Sequence, residues 1–182
     1  MRRGSSRGGR PDLAVGALRL DEVHLKILSV LQEDASLSSA QVAERVGMSQ
    51  SPAWRRIANL DQSGVIKQRT ALLDRQKVGL NLLVFVLIRL EDQTEPTVRK
   101  FKSAVAAIPA VLQAHMLMGD IDFLLQVIAR DIDAYRALLR EHLSRLPGVR
   151  GIDSRVVVDE AKNSPVLSLN GLGVAAMPGG QR

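Results

Sequence analysis

The spacing of apolar residues changes period near residue 64, and that change divides the chain into two regions of different secondary structure. From Asp21 to Leu60 the spacing is helical, with Val23, Ile27 and Leu31 on one stripe and Val42, Ala43 and Val46 on another. Three short helices are predicted. Asp21 can cap the first, Ser38 with Gln41 three residues on has the form of a capping box for the second, and Gly47 supplies its stop. Ser51-Pro52 opens the third, because proline is tolerated where a backbone N–H has no helical partner. After Gly64 the pattern becomes extended, and Val65-Ile66-Lys67 with Thr70 to Leu73 is expected to form a small ribbon or a connector.

Beyond Asn81 strand-like and helix-like pieces alternate. The expected order is strand Leu82–Leu90, helix Thr97–Ile108, strand Val111–Met118, strand Asp122–Ala129, helix Ile132–Leu146 and strand Ile152–Asp159, with Pro109 and Pro147-Gly148 ending the two helices. This β-α-β-β-α-β order suits a ferredoxin-like sandwich, two helices on one face of an antiparallel sheet, so the fold class is α+β. Strand Leu82–Ile88 is apolar on both sides, although helices would cover only one. Its second face needs a partner, either a second copy of the chain or the chain's own tail or linker.

The domain layout that follows is a basic arm over 1–19, a winged-helix-like helix-turn-helix domain over 20–66, a linker over 67–81, a second domain over 82–170 and a Gly-rich tail over 171–182. The longest apolar run, Leu82–Ile88, is too short for a membrane helix, and no apolar core follows the basic N-terminus. A cytoplasmic, nucleoid-associated protein without membrane contact is expected. Cysteine is absent, which excludes disulfides, thiolate metal sites and thiol catalysis. The net charge of +6 is unevenly placed, since residues 1–80 hold 13 Lys and Arg against 8 Asp and Glu, and residues 81–182 hold 12 against 11. That asymmetry favours a polyanion at the N-terminal half, double-stranded DNA being the commonest; a merely solubilising charge is the alternative.

The segment from Ser39 to Ile57 has the form of a helix-turn-helix, a short helix, a glycine turn and a second capped helix. In the second helix Ala53, Ile57 and Leu60 share an inward face, which leaves Gln50, Ser51, Trp54 and Arg55 outward. Arg and Gln can hydrogen-bond base edges, while the hydroxyls of Ser39, Ser49 and Ser51 and the helix N-terminus suit phosphates. Arg56 lies near the inner edge, where it braces the fold or a phosphate. Trp54 either packs on a neighbouring helix or meets DNA, and Arg69 either touches a phosphate or is solvated.

These residues resemble the Lrp/AsnC (feast/famine) family of transcriptional regulators over about Leu20 to Leu169. The resemblance rests on Leu20-Asp21 with Ile27-Leu28, Gly47-Met-Ser-Gln-Ser-Pro with Arg56-Ile57 and Leu60, Gly64-Val-Ile, Gly119-Asp-Ile-Asp-Phe-Leu-Leu, Leu146-Pro-Gly-Val and Val156-Val-Val-Asp-Glu-Ala-Lys. It implies a DNA-binding regulator that responds to an amino acid or related metabolite, with homodimers assembling to an octamer or similar ring. It also implies an effector site at Met118, Gly119, Asp120 and Asp122, completed by the segment around Ser154 of a neighbouring subunit. A glycine turn can offer backbone N–H groups to a carboxylate, and an aspartate can accept from an ammonium. Gly119-Asp120 equally suits a hairpin turn between two strands, and the two roles are compatible. Where the family usually has a second acidic residue in the first helix this chain has His24, which puts a helix-1 carboxylate brace for the third helix in question. Ser154 stands where threonine is common.

Two other functions are open to the chain. One is an architectural DNA-binding protein without an effector, and the other is an enzyme like the sirohaem decarboxylases that are similar to this family. His24, His115 and His142 lack metal-ligand spacing, and no phosphate-cradling loop or acid-base pair is present. No catalytic residue, metal or cofactor is therefore assigned.

Overall fold

The computed structural model describes residues 20–169; the arm expected over 1–19 and the tail expected over 171–182 lie outside the described residues. The described chain divides into two compact units, one of residues 20–71 with 164–169 and the other Leu72–Asn163. The break between 71 and 72 lies inside the segment 67–81, whereas 164–169, expected with the second domain, group with the first unit.

The first unit holds α1 (Glu22–Glu33), α2 (Ser39–Val46) and α3 (Gln50–Gln62). Asp21 and Ser38 cap α1 and α2 with reciprocal capping boxes, whose third helical residues are His24 and Gln41. Gly47 ends α2 at φ +71°, a left-handed conformation that a side chain disfavours. Helix α3 begins one residue before Ser51, so Pro52 sits inside the first turn, where no intrahelical N–H is needed. Ile27, Leu31, Val42 and Leu60 form the core, with Val23, Met48, Ile57 and Ile66 packed against it. Full burial of each large aliphatic side chain contributes roughly 1.5–3 kcal/mol. Of the two alternatives after Gly64 the connector is adopted: residues 63–81 contain no strand. Ile66 donates its N–H to Leu60 C=O at 3.2 Å, and its side chain joins the helical core instead of a sheet.

The second unit is β1 (Leu82–Leu90), α4 (Glu95–Ala106), β2 (Val111–Met116), β3 (Phe123–Ala129), α5 (Ile132–Glu141), a 3-10 turn (Leu143–Arg145) and β4 (Val149–Val156). The strands form one antiparallel sheet in the order β2-β3-β1-β4, which is the ferredoxin-like arrangement. Val84, Val86, Ile88 and Leu90 of β1 and Phe123, Leu125 and Val127 of β3 face the helices, where Phe101 and Tyr135 close the core. The rings of Phe101 and Phe123 meet at 4.5 Å between centroids, tilted by 39°.

Several boundaries differ from the sequence expectation, each for a pairing or capping reason. β4 lies earlier than Ile152–Asp159, because it pairs with β1 from Leu90↔Val149 to Val84↔Val156 and loses its partner where β1 begins. β2 stops at Met116, opposite the first residue of β3. α5 gives way to the 3-10 turn at His142, with Ser144 Oγ donating to Leu139 C=O at 2.8 Å, and the tighter turn buries Leu143 and Leu146. Among the described residues no helix is long and apolar enough to cross a membrane.

Candidate nucleic-acid interface and ligand loop

The outward face of α3 follows from which of its residues the core takes. Ala53 and Leu60 are fully buried and Ile57 is half-buried, so Gln50, Ser51, Trp54 and Arg55 project to solvent, with Trp54 60% exposed. A large indole left that open is available as a contact surface. Ser49 is the N-cap of α3, yet its hydroxyl makes no capping hydrogen bond, which leaves the hydroxyl and the first-turn N–H groups of α3 open to an anion. Ser39 is half-buried at the start of α2.

Arg56 points to the other side of α3. Its Nη1 donates to Asp21 Oδ2 at 2.7 Å and lies 3.2 Å from both ring nitrogens of His24. The helix-1 carboxylate brace put in question by His24 is thus supplied by Asp21, the N-cap of the same helix. Burial acts to raise the Asp21 carboxyl, but the His24 N–H, the Arg56 guanidinium and their charges outweigh it and hold the group below the usual carboxylate range. From sequence alone Asp21 has only a capping role. A carboxylate has two oxygens, and here one caps the helix while the other takes the arginine. Arg69 folds back on the last turn of α3, Nη1 to Asp61 Oδ1 at 3.0 Å and Nη2 to Oδ2 at 3.1 Å.

In the second unit Met118, Gly119 and Asp120 lie in the β2–β3 turn. Leu117 N–H donates to Asp122 C=O at 2.8 Å and Asp122 N–H to Ile88 C=O at 3.0 Å, which ties the base of the turn to the sheet. Gly119 has φ +126°, and a Cβ there would meet nothing within 4 Å, so glycine is required by the backbone and not by crowding. Met118 and Asp120 are exposed, Met118 completely. Asp122 is different. It is 6% exposed, and its carboxylate accepts from Leu90 N–H at 2.7 Å and from Gln93 Nε2 at 2.6 Å. Its oxygens are committed inside the chain, so what Asp122 gives the turn is shape, and Gln93 is a supporting residue that the sequence did not mark.

Ser154 is elsewhere. It sits on β4 opposite Val86, on the helix side of the sheet, where its hydroxyl hydrogen-bonds the hydroxyl of Tyr135, the single tyrosine of the chain. β2 and β4 are the two edges of the sheet, with β3 and β1 between them. One subunit therefore does not bring Ser154 to the Met118–Asp122 turn.

Comparison with known proteins agrees with both units. Residues 20–67 match the winged helix-turn-helix DNA-binding model and residues 83–167 the Lrp/AsnC ligand binding domain. The chain is 37% identical over 151 residues to a glutamate uptake regulatory protein of Zymomonas mobilis, covering 83% of this chain and 92% of that one. It is 38% identical over 145 residues to the leucine-responsive regulatory protein of Escherichia coli, covering 80% and 88%. Among solved structures, a transcriptional regulator of Neisseria meningitidis in complex with L-Met has a TM-score of 0.79 at 34% identity, covering 84% of this chain and 99% of that one. An AsnC family regulator of Agrobacterium tumefaciens has a TM-score of 0.78 at 36% identity, covering 82% and 97%.

A helix-turn-helix unit that presents a polar, cationic helix, followed in the chain by a ferredoxin-like ligand-binding unit, defines a DNA-binding transcriptional regulator with an effector domain. The chain belongs to the Lrp/AsnC family of such regulators.

Proposed function

We propose that this protein reads double-stranded DNA with the outward face of α3 and changes its affinity or assembly when an amino acid binds at the Met118–Asp122 turn. The observation that carries the reading is the outward set Gln50, Ser51, Trp54 and Arg55, which the core of the first unit leaves uncommitted. Arg55 and Gln50 are assigned to base edges, Ser39, Ser49 and Ser51 to phosphates, Trp54 to the groove wall, and Arg56 and Arg69 to the backbone once their carboxylate partners release them. At the turn, the exposed N–H groups around Gly119 take the effector carboxylate and Asp120 meets its ammonium. Met118 lies against the side chain, and Asp122 holds the turn in place. Ser154 enters from a second copy of the chain, since the sheet order keeps it from its own subunit's turn.

A homodimer that assembles further, to an octamer or a similar ring, follows from the same incompleteness. The side of the sheet away from the helices carries Phe85, Leu87, Leu124 and Ile128, all only half-buried. At one end the chain covers itself. Leu73, Gln76 and Glu160 border a cleft of about 330 Å³ over Leu83 and Ile128, and Arg75 pins this cover by donating to Glu160, Leu80 C=O and Asn81 C=O. The Phe85–Leu87 end is the part that suits a second copy. The reading is of a non-enzymatic regulator working in the cytoplasm on the nucleoid, in keeping with relatives named as regulators.

Binding of genomic fragments by the purified protein, with and without pooled amino acids, tests the reading. Retention of a limited fragment set whose occupancy shifts with an amino acid is the expected result. Equal retention of all fragments, unmoved by any amino acid, would favour an architectural DNA-binding protein.

A further inference from the structure

His24 is the one buried histidine among the described residues, 7% exposed, and the DNA-reading face does not use it. Its surroundings are poor in acceptors. Asp21 N–H points at Nδ1 from 3.2 Å, and Arg56 Nη1 lies 3.2 Å from Nδ1 and from Nε2. Asp21 Oδ1 is 3.0 Å from Nδ1, while the other oxygen of that carboxylate binds Arg56 at 2.7 Å. The remaining helix of the unit, α2, turns its charged residues Glu44 and Arg45 to solvent. One carboxylate thus faces two basic groups.

A neutral imidazole keeps one bare nitrogen whichever tautomer it adopts, and that lone pair can accept from Asp21 N–H or from Arg56. With the ring neutral, Asp21 and Arg56 balance in charge. Protonation removes the lone pair, places a second cation 3.2 Å from the guanidinium, and offers Asp21 Oδ1 a charged donor at 3.0 Å. A single carboxylate charge then faces two cations, His24 on Oδ1 and Arg56 on Oδ2, that repel each other. His24 is fixed in the core, whereas the Arg56 side chain is 30% exposed and can swing outward.

We propose that His24 is a proton-operated release for Arg56: the neutral ring holds the guanidinium on Asp21, and the imidazolium takes Asp21 and frees Arg56, on the DNA-reading helix, for a backbone phosphate. This rests on the DNA-binding reading of α3. Protonation of the ring then adds one phosphate contact, a gain that carries no base specificity.

The test is the salt dependence of duplex binding by the full chain at about pH 7.5 and about pH 5.5. One added phosphate contact steepens the slope of log affinity against log salt by about 0.9, which is about a 3-fold larger affinity loss over a fourfold rise in salt. The wild-type slope should steepen at the lower pH. His24→Asn should show one slope at both, with the exposed His115 and His142 retained as internal controls. Arg56→Gln should also lose the increment, and that arm does not depend on the His24 variant folding. A wild-type slope that does not move with pH, or one that moves equally in either variant, overturns the proposal while leaving DNA binding intact. Absence of duplex binding at both pH values would instead remove the reading on which it rests.

Discussion

At the scale of single residues, Asp122 and Asp21 show one carboxylate doing two structural tasks. Asp122 joins the end of β1 to the base of the β2–β3 turn through Leu90 N–H and Gln93. Asp122→Ala leaves the buried Leu90 N–H unsatisfied, and a cost of about 1–3 kcal/mol is expected, read as a lower melting temperature of the effector unit. Loss of effector response in that variant would therefore report a collapsed turn. Asp120→Asn, on the exposed tip, is the cleaner probe: the amino-acid response should vanish in a DNA-binding titration while the melting temperature stays as it was. Asp21 bears on pH. Its carboxyl titrates below the unfolded value, so its stabilising contribution is complete above the usual carboxylate range and is lost as pH falls through the lowered value. Melts of Asp21→Asn and wild type in acid should converge, with the difference between them largest near neutrality.

At the scale of elements, the capping chemistry was legible in the sequence because it is local. Asp21 and Ser38 cap where they were expected to, and Gly47 adopts the left-handed conformation that a stop requires. Ser38→Ala should destabilise the first unit by about 1 kcal/mol in thermal or denaturant unfolding, since it removes half of a reciprocal cap. β1 was legible to the residue because it is central and pairs along its whole length with β3 and β4. The ends of β4 and β2 were not, because a strand at a sheet edge stops where its neighbour stops, and no local residue type records that. The choice between ribbon and connector after α3 was left open by the sequence for a related reason. Val65 and Ile66 are β-branched, but burial of Ile66 against the helices outweighs strand propensity. The outward face of α3 could be read from its apolar spacing. Neither the Arg56–Asp21–His24 cluster nor the Gln93 support of Asp122 could, since each joins residues about thirty positions apart.

At the scale of the whole molecule, what matters is how many copies meet. A ferredoxin-like unit covers one face of its sheet with helices and leaves the other to be covered otherwise. Here the linker and the stretch after β4 reach only the Leu83–Ile128 end. Phe85 and Leu87 remain at the middle of β1, beside Leu124 and Gln126 of β3 and Asp153 and Arg155 of β4. Asp153 and Arg155 pair with each other at 2.7 Å, and Arg89, two residues beyond Leu87 on the same face of β1, adds one positive charge at this border. A carboxylate placed among these apolar side chains would have to be desolvated on association, a cost that the neighbouring Arg89 offsets only in part. Leu87→Asp should therefore sediment as a monomer at concentrations where the wild type does not, with its melting transition otherwise cooperative. A monomer carries one reading helix in place of two, and the second contact no longer benefits from tethering. Affinity for a two-half-site duplex should then fall by a factor on the order of 10²–10⁴, while affinity for a single half-site changes little. A variant that remains oligomeric, or that becomes monomeric yet keeps its full two-site affinity, would move the assembling surface to another face of the sheet domain.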